Sequence, residues 1–173
     1  MRVFIGVSPS AEVEEVVGGL SRPTVPGLRW TTPDQWHVTL RFCGRVPDEE
    51  VPALVNALRV GLAGQVPVRA TTGDATARFG PGGIVHLPVA GLDEVAARVR
   101  WASAPYGDHY DDRRFQGHLT LARARRGLPS HLVGRSIEPI IWTVEEVAVV
   151  ASTLHLHPGG ARYRTEATVP LVG

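Results

Sequence analysis

His37-Val38-Thr39-Leu40 comes back nearly half a chain later as His118-Leu119-Thr120-Leu121, and this repetition decides how the chain is read. With only 7 histidines in 173 residues, two copies of His-x-Thr-Leu so far apart point to a duplicated unit, and a repeat has to be recognised before any single element is interpreted. Each copy fits a strand. Over residues 37–42, period-two alternation sends Val38, Leu40 and Phe42 to one face and His37, Thr39 and Arg41 to the other. Leu119 and Leu121 alternate with His118 and Thr120 in the same way. The apolar face is core and the polar face opens on water or a ligand. Two such units related by a pseudo-twofold axis bring two imidazoles and two hydroxyls together across a cleft.

The chain is long enough for one compact core, and residues 1–173 are read as a single domain of two pseudo-symmetric lobes, one motif in each. Apolar residues make up 43% of it, and no run approaches the roughly 20 needed to span a bilayer, so no membrane partner is expected. The opening residues, Met1-Arg2-Val3-Phe4-Ile5-Gly6-Val7, read as a first strand of a cytoplasmic protein rather than a leader peptide. A single cysteine, Cys43, makes no internal disulfide, in keeping with a reducing compartment. Following Phe42 at a strand end, it reads as packing rather than as a nucleophile.

A net charge of +1 gives no global pull on long nucleic acid, and a monomer is expected. All 18 basic residues are arginine. Without lysine the chain can run no Schiff-base chemistry and no lysyl-nucleotidyl transfer, and it has no phosphate-loop lysine.

Ser10 can cap a helix over residues 11–20 that buries Val13, Val16, Val17 and Leu20. A second helix, capped at Asp48, carries Val51, Leu54, Val55, Leu58 and Leu62, and a third carries Leu92, Val95, Ala96, Val99 and Trp101. Residues 66–79 read as a strand interrupted at Gly73-Asp74, residues 84–89 as its return, and residues 103–117 as a long polar loop. Residues 144–156 read as one buried strand, joined through a hairpin at Pro158-Gly159-Gly160 to a closing strand over residues 163–171. Strands and helices in this order give an α+β class with mostly antiparallel pairing.

Paired imidazoles suit proton transfer near neutral pH, one ring as base and the other as acid. Threonines two positions on can hydrogen-bond an oxyanion, and Arg41 or Arg123 supplies charge, which together describe a phosphate pocket. Arg123 shares the parity of Leu119, so the strand must end or bulge after Leu121 for it to reach the cleft.

HVTLRF and HLTLAR, in a chain beginning RVFIGV and carrying PGGARY near its end, resemble the 2H phosphoesterase superfamily, and within it the RNA 2',3'-cyclic phosphodiesterases once called 2'-5' RNA ligases. The resemblance implies a bilobal fold of two mainly antiparallel sheets around a central cleft, helices outside. It also implies metal-independent hydrolysis of cyclic phosphate ends of RNA, or of small cyclic nucleotides, to 2'-phosphomonoesters, with reversible 2'-5' ligation and no cofactor. It makes His37 and His118 the catalytic pair, Thr39 and Thr120 the phosphate hydroxyls, Arg123 the phosphate arginine, and Phe4 a stacking surface for a base. On the same grounds His118 activates water and His37 protonates the leaving oxygen. The usual proline before the second motif is Gly117 here, and an arginine usual after the long late strand is missing near Ala151.

Three readings compete. One is a non-catalytic RNA-binding module using Phe4, Arg113, Arg114, Arg123, Arg125 and Arg126. Another is a metal-dependent hydrolase built on His155 and His157, whose spacing suits zinc although no further ligand sits beside them. The third is a different 2H activity, such as hydrolysis of a cyclic ADP-ribose phosphate. His86, His109 and His131 read as ordinary strand or loop residues.

Overall fold

A computed structural model of the chain describes residues 1–80, 83–110, 112–125, 127–154 and 160–173. In chain order the elements are β1 (Arg2–Val7), α1 (Ala11–Gly18), β2 (Leu28–Trp30), β3 (Val38–Arg45), α2 (Val51–Gly61), β4 (Val68–Thr72), β5 (Ala77–Phe79), β6 (Ile84–Ala90), α3 (Asp93–Ser103), β7 (His118–Ala124), β8 (Ile141–Val144), β9 (Glu146–Leu154) and β10 (Ala161–Pro170). Among the described residues every strand pairing is antiparallel, and the class is α+β, as the sequence predicts.

The strands lie in the order β10-β9-β1-β3-β7-β6-β4-β8, with β2 also on β7 and β5 on β6. Each motif strand therefore has on its outer side the strand that precedes it by one helix: β1 comes before α1 and β3, and β6 before α3 and β7. The two halves are joined between β3 and β7 by a single pair, Val38 opposite Leu119.

The helices form where apolar spacing and caps dictate. Ser10 Oγ accepts the Val13 N–H at 3.3 Å, a cap of the kind worth roughly 1 kcal/mol, and α1 buries Val13 and Val17. The apolar stripe of α2 (Val51, Leu54, Val55, Leu58) is buried, as is that of α3 (Val95, Ala96, Val99). These two helices pack on each other, and α3 packs on β3. Among the described residues no helix is long and apolar enough to cross a membrane.

Three local expectations change. Trp101 is 73% exposed, because the stripe of α3 closes on Ala102 instead. Asp48 does not cap α2; its Oδ1 accepts from the Met1 ammonium at 2.8 Å. The run from Val144 expected as one strand is broken at its start, since the buried parity runs through Trp142 and Val144, then restarts at Val147 and Val149 after two exposed glutamates. The chain leaves one half of the sheet at Glu145: β8 pairs with β4, whereas β9 lies between β1 and β10. The split at Gly73-Asp74 into β4 and β5 follows the sequence. His155, His157 and most of the Pro158-Gly159-Gly160 hairpin lie outside the described residues.

Candidate active site

The single pair between β3 and β7 decides the site. Carrying the antiparallel register of Val38 and Leu119 one residue each way sets His37 opposite Thr120 and Thr39 opposite His118. Cross-strand partners share a face, so all four polar side chains stand together. Val38 and Leu119 point the other way and are 0% and 1% exposed. The quartet thus follows from pairing two copies of one tetrapeptide side by side.

Both imidazoles are held alike. Nδ1 of His37 lies 2.8 Å from the Gln35 carbonyl, and Nδ1 of His118 lies 2.7 Å from the Gln116 carbonyl. A carbonyl only accepts, so each Nδ1 carries the proton, and Nε2 of each neutral ring keeps the lone pair that can take one. Burial pushes His37 down to about 4, against the carbonyl bond, which favours the charged ring; the positive charges of Arg123 and His118 push it the same way. His118 is lowered as well, by burial first and by Arg123 in addition, with its bond to Gln116 opposing.

A bulge then occurs at the same place in both copies. Along β3 the partners run Gly6 to Thr39 and Ile5 to Arg41, leaving Leu40 extra; along β7 they run His86 to Thr120 and Val85 to Ala122, leaving Leu121 extra. Each bulge falls on the final leucine of its motif and reverses the alternation beyond it. Leu121 and Ala122 are consequently both buried. Arg123 turns back toward the quartet, where its charge acts on His37, His118 and Tyr163. Thr31 fastens this bulge: its hydroxyl lies 2.8 Å from the Thr120 carbonyl and 2.9 Å from that of Leu121, and Trp36 Nε1 donates to it at 3.0 Å.

The same bulge corrects the placing of Arg41. Strict alternation puts it beside His37 and Thr39, but beyond Leu40 it lies on the helix side. There its guanidinium donates to the carbonyls of Ser103 and Tyr106, at the C-terminal end of α3. Phe42, expected in the core, takes the other face. Phe4 also differs from expectation. It is 4% exposed, with its ring stacked on His37 at 4.3 Å and 24°, so it backs the imidazole and has no open face for a base.

Three residues that the sequence pattern does not single out adjoin the two histidines: Tyr163, Phe79 and His86. Tyr163 meets His37 edge-on at 5.1 Å. Phe79 and His86 stack at 3.9 Å and 10°, and both meet His118 edge-on, at 4.7 and 5.4 Å. His86 is 5% exposed and driven down to about 4, chiefly by burial. One signal could have found it: β6 holds the same position before β7 that β1 holds before β3. Cys43 is buried, which pushes its thiol up to about 11 and leaves it a packing group, as expected. Gly117 is fixed by packing, because its carbonyl accepts the Val89 N–H at 2.8 Å and any side chain there would run into the Val89 carbonyl. Among the described residues no three His, Cys, Asp or Glu side chains converge to hold a metal ion.

Residues 8–155 match the sequence profile of the 2'-5' RNA ligase superfamily. An RNA 2',3'-cyclic phosphodiesterase of Geobacillus stearothermophilus is 27% identical over 184 residues, covering 98% of this chain and 57% of that protein; the chain thus spans a little over half the length of that curated relative. Solved structures similar to this fold include TT0787 of Thermus thermophilus, with a TM-score of 0.79 and 25% identity over 99% of this chain and 98% of that one. E. coli LigT complexed with 3'-AMP is similar over the same shares, with a TM-score of 0.76 and 26% identity.

Proposed function

This chain belongs to the 2'-5' RNA ligase superfamily of 2H phosphoesterases, and from that premise we propose that it opens 2',3'-cyclic phosphates at RNA ends to 2'-phosphomonoesters with a histidine pair. The observation that carries the reading is the coming together of His37, Thr39, His118 and Thr120 across one strand pair, with the charge of Arg123 acting on both rings.

Water attacks phosphorus as the bond to the 3'-oxygen breaks. One Nε2 takes the proton of the water, and the other gives a proton to the departing 3'-oxygen. The Thr39 and Thr120 hydroxyls and the Arg123 guanidinium hold the phosphate oxygens, whose charge rises in the transition state. An RNA 5'-hydroxyl in place of water gives a 2'-5' linkage by the same steps. The repulsion between His37 and His118 is mutual, so what separates the rings is enclosure. The carbonyl bond of His37 is part-buried and that of His118 exposed, and burial is the largest cause lowering His37, so we place the first proton bound by the pair on His118. That makes His118 the acid and His37 the base, the reverse of the roles the resemblance suggests.

Purified protein incubated in EDTA with an RNA ending in a 2',3'-cyclic phosphate should yield the 2'-phosphomonoester. Two imidazoles, two hydroxyls and an arginine can carry every proton and charge in this reaction. A 3'-phosphate product, or activity lost in EDTA and restored by zinc, would overturn the reading.

A further inference from the structure

The reading just proposed concerns the cyclic phosphate alone, and the following inference rests on it. Because the bulge falls at the same motif position in both halves, residues beyond it correspond: Arg41 with Ala122, and Phe42 with Arg123. Where the second half turns a guanidinium toward the ligand, the first half turns an aromatic ring. Phe42 is the cross-strand partner of Phe4, the residue stacked on His37, so its ring lies on the same face as the imidazole. Five positions further along the extended chain, at a rise of roughly 3.3 Å each, it sits on the order of 15 Å from His37 along that face.

Phe42 borders a cavity of about 210 Å³ lined by Arg2, Phe42, Gly44, Arg45, Asp108 and His109. This is less than the roughly 300 Å³ at which sites for whole drug-sized ligands begin and is on the scale of one flat heterocycle. The Arg2 guanidinium lies 4.6 Å over the Phe42 ring, and His109 meets that ring edge-on at 5.1 Å. The wall is built rather than incidental. Gly44 adopts a positive φ of 78°, which frees the Arg45 N–H to donate to Asp108 Oδ1 at 2.7 Å, and the His109 N–H donates to the Cys43 carbonyl at 3.2 Å. Aromatic rings and guanidinium planes are the surfaces on which unpaired bases stack, and arginines beside them suit the connecting phosphate.

We infer that this cavity is a nucleobase subsite, which takes the base of the nucleotide preceding the cyclic phosphate. A 2',3'-cyclic phosphate closes the 3' end of its chain, so the only neighbour an RNA substrate can offer lies on its 5' side. The substrate class is therefore an oligonucleotide rather than a free cyclic mononucleotide.

The test compares kcat/KM for a 2',3'-cyclic mononucleotide with that for a dinucleotide ending in the same cyclic nucleotide. The native protein should favour the dinucleotide about tenfold or more, through KM. Phe42→Ala should bring the ratio close to one while leaving the mononucleotide value within about twofold, which also reports an intact fold. His109→Ala, at an exposed loop position, should lower the ratio by a smaller factor. Equal kcat/KM for the two substrates in the native protein, or a dinucleotide preference that survives both substitutions, would overturn the subsite and leave the phosphodiesterase reading standing. Turnover of neither substrate would overturn both.

Discussion

His37 and His118 share a motif, a carbonyl anchor at the same ring nitrogen and a bulge at the same residue, yet they stand in different company. His37 is stacked on Phe4 and edged by Tyr163, with Gly6 opposite Thr39. His118 is edged by Phe79 and by a further imidazole, His86, which lies opposite Thr120. Beyond the bulge one half offers Phe42 and the other Arg123. Repetition therefore conserves how the imidazole and hydroxyl are presented, while the strand alongside sets what surrounds each ring. An ordinary β-sheet device, the bulge, gives the two copies one geometry with two different sets of neighbours.

The largest effect should come from deleting the rings. His37→Ala and His118→Ala should each lose at least about a hundredfold in kcat, the low end for a positioned acid or base. The halves separate when the leaving 3'-oxygen is replaced by sulfur, which departs without a proton. On that substrate His118→Ala should recover most of its activity and His37→Ala should not; recovery in the opposite variant would exchange the roles.

Thr39→Val and Thr120→Val should cost less. Each removes one hydrogen bond to a charged group, worth about 1.5 to 3 kcal/mol. Full activity in both variants would show the hydroxyls to be structural.

The pH profile gives a smaller but more pointed comparison. One ring must be charged and the other neutral, so kcat/KM should be bell-shaped. With His37 held at about 4 and His118 below its usual value, its maximum should lie on the acid side of 6.5. The bound phosphate anion favours both charged rings, so the kcat maximum should lie at higher pH. An optimum in kcat/KM above 6.5 would mean that at least one ring is not held down.

The smallest effect is on stability. A histidine whose folded pKa is lowered binds fewer protons folded than unfolded, so stability should fall as pH drops from about 6.5 toward the folded value. For His37 and His86 that value is about 4. The urea midpoint should decline across that window, and His86→Phe, which cannot titrate, should flatten part of the slope. An unchanged slope would show His86 to be charged or solvated in the folded protein.

Much of this was legible without coordinates. The alternation of His37, Thr39, His118 and Thr120 against valine and leucine, the apolar stripes of α2 and, Trp101 apart, of α3, and the break at Gly73-Asp74 are local patterns, and each formed where the residues put it. That the strand must end or bulge after Leu121 for Arg123 to reach the cleft was also readable, because Arg123 has the wrong parity; that it bulges was not. The twin bulge at Leu40 gave no sign, since nothing in the run Arg41-Phe42 looked misplaced.

What only the tertiary structure decided lies at contacts between distant strands. A bulge exists only relative to the strand it is paired with, so β1 and β6 fixed which way Arg41, Phe42 and Arg123 point. Tyr163, Phe79 and His86 reach the histidines through neighbouring strands whose order no local periodicity specifies. The sequence by itself determined which side chains the repeated motif presents on its polar face, because hydrophobic alternation along a strand needs only the next few residues. The company each imidazole keeps was left to the sheet, because register and strand order come from burying both halves in one core.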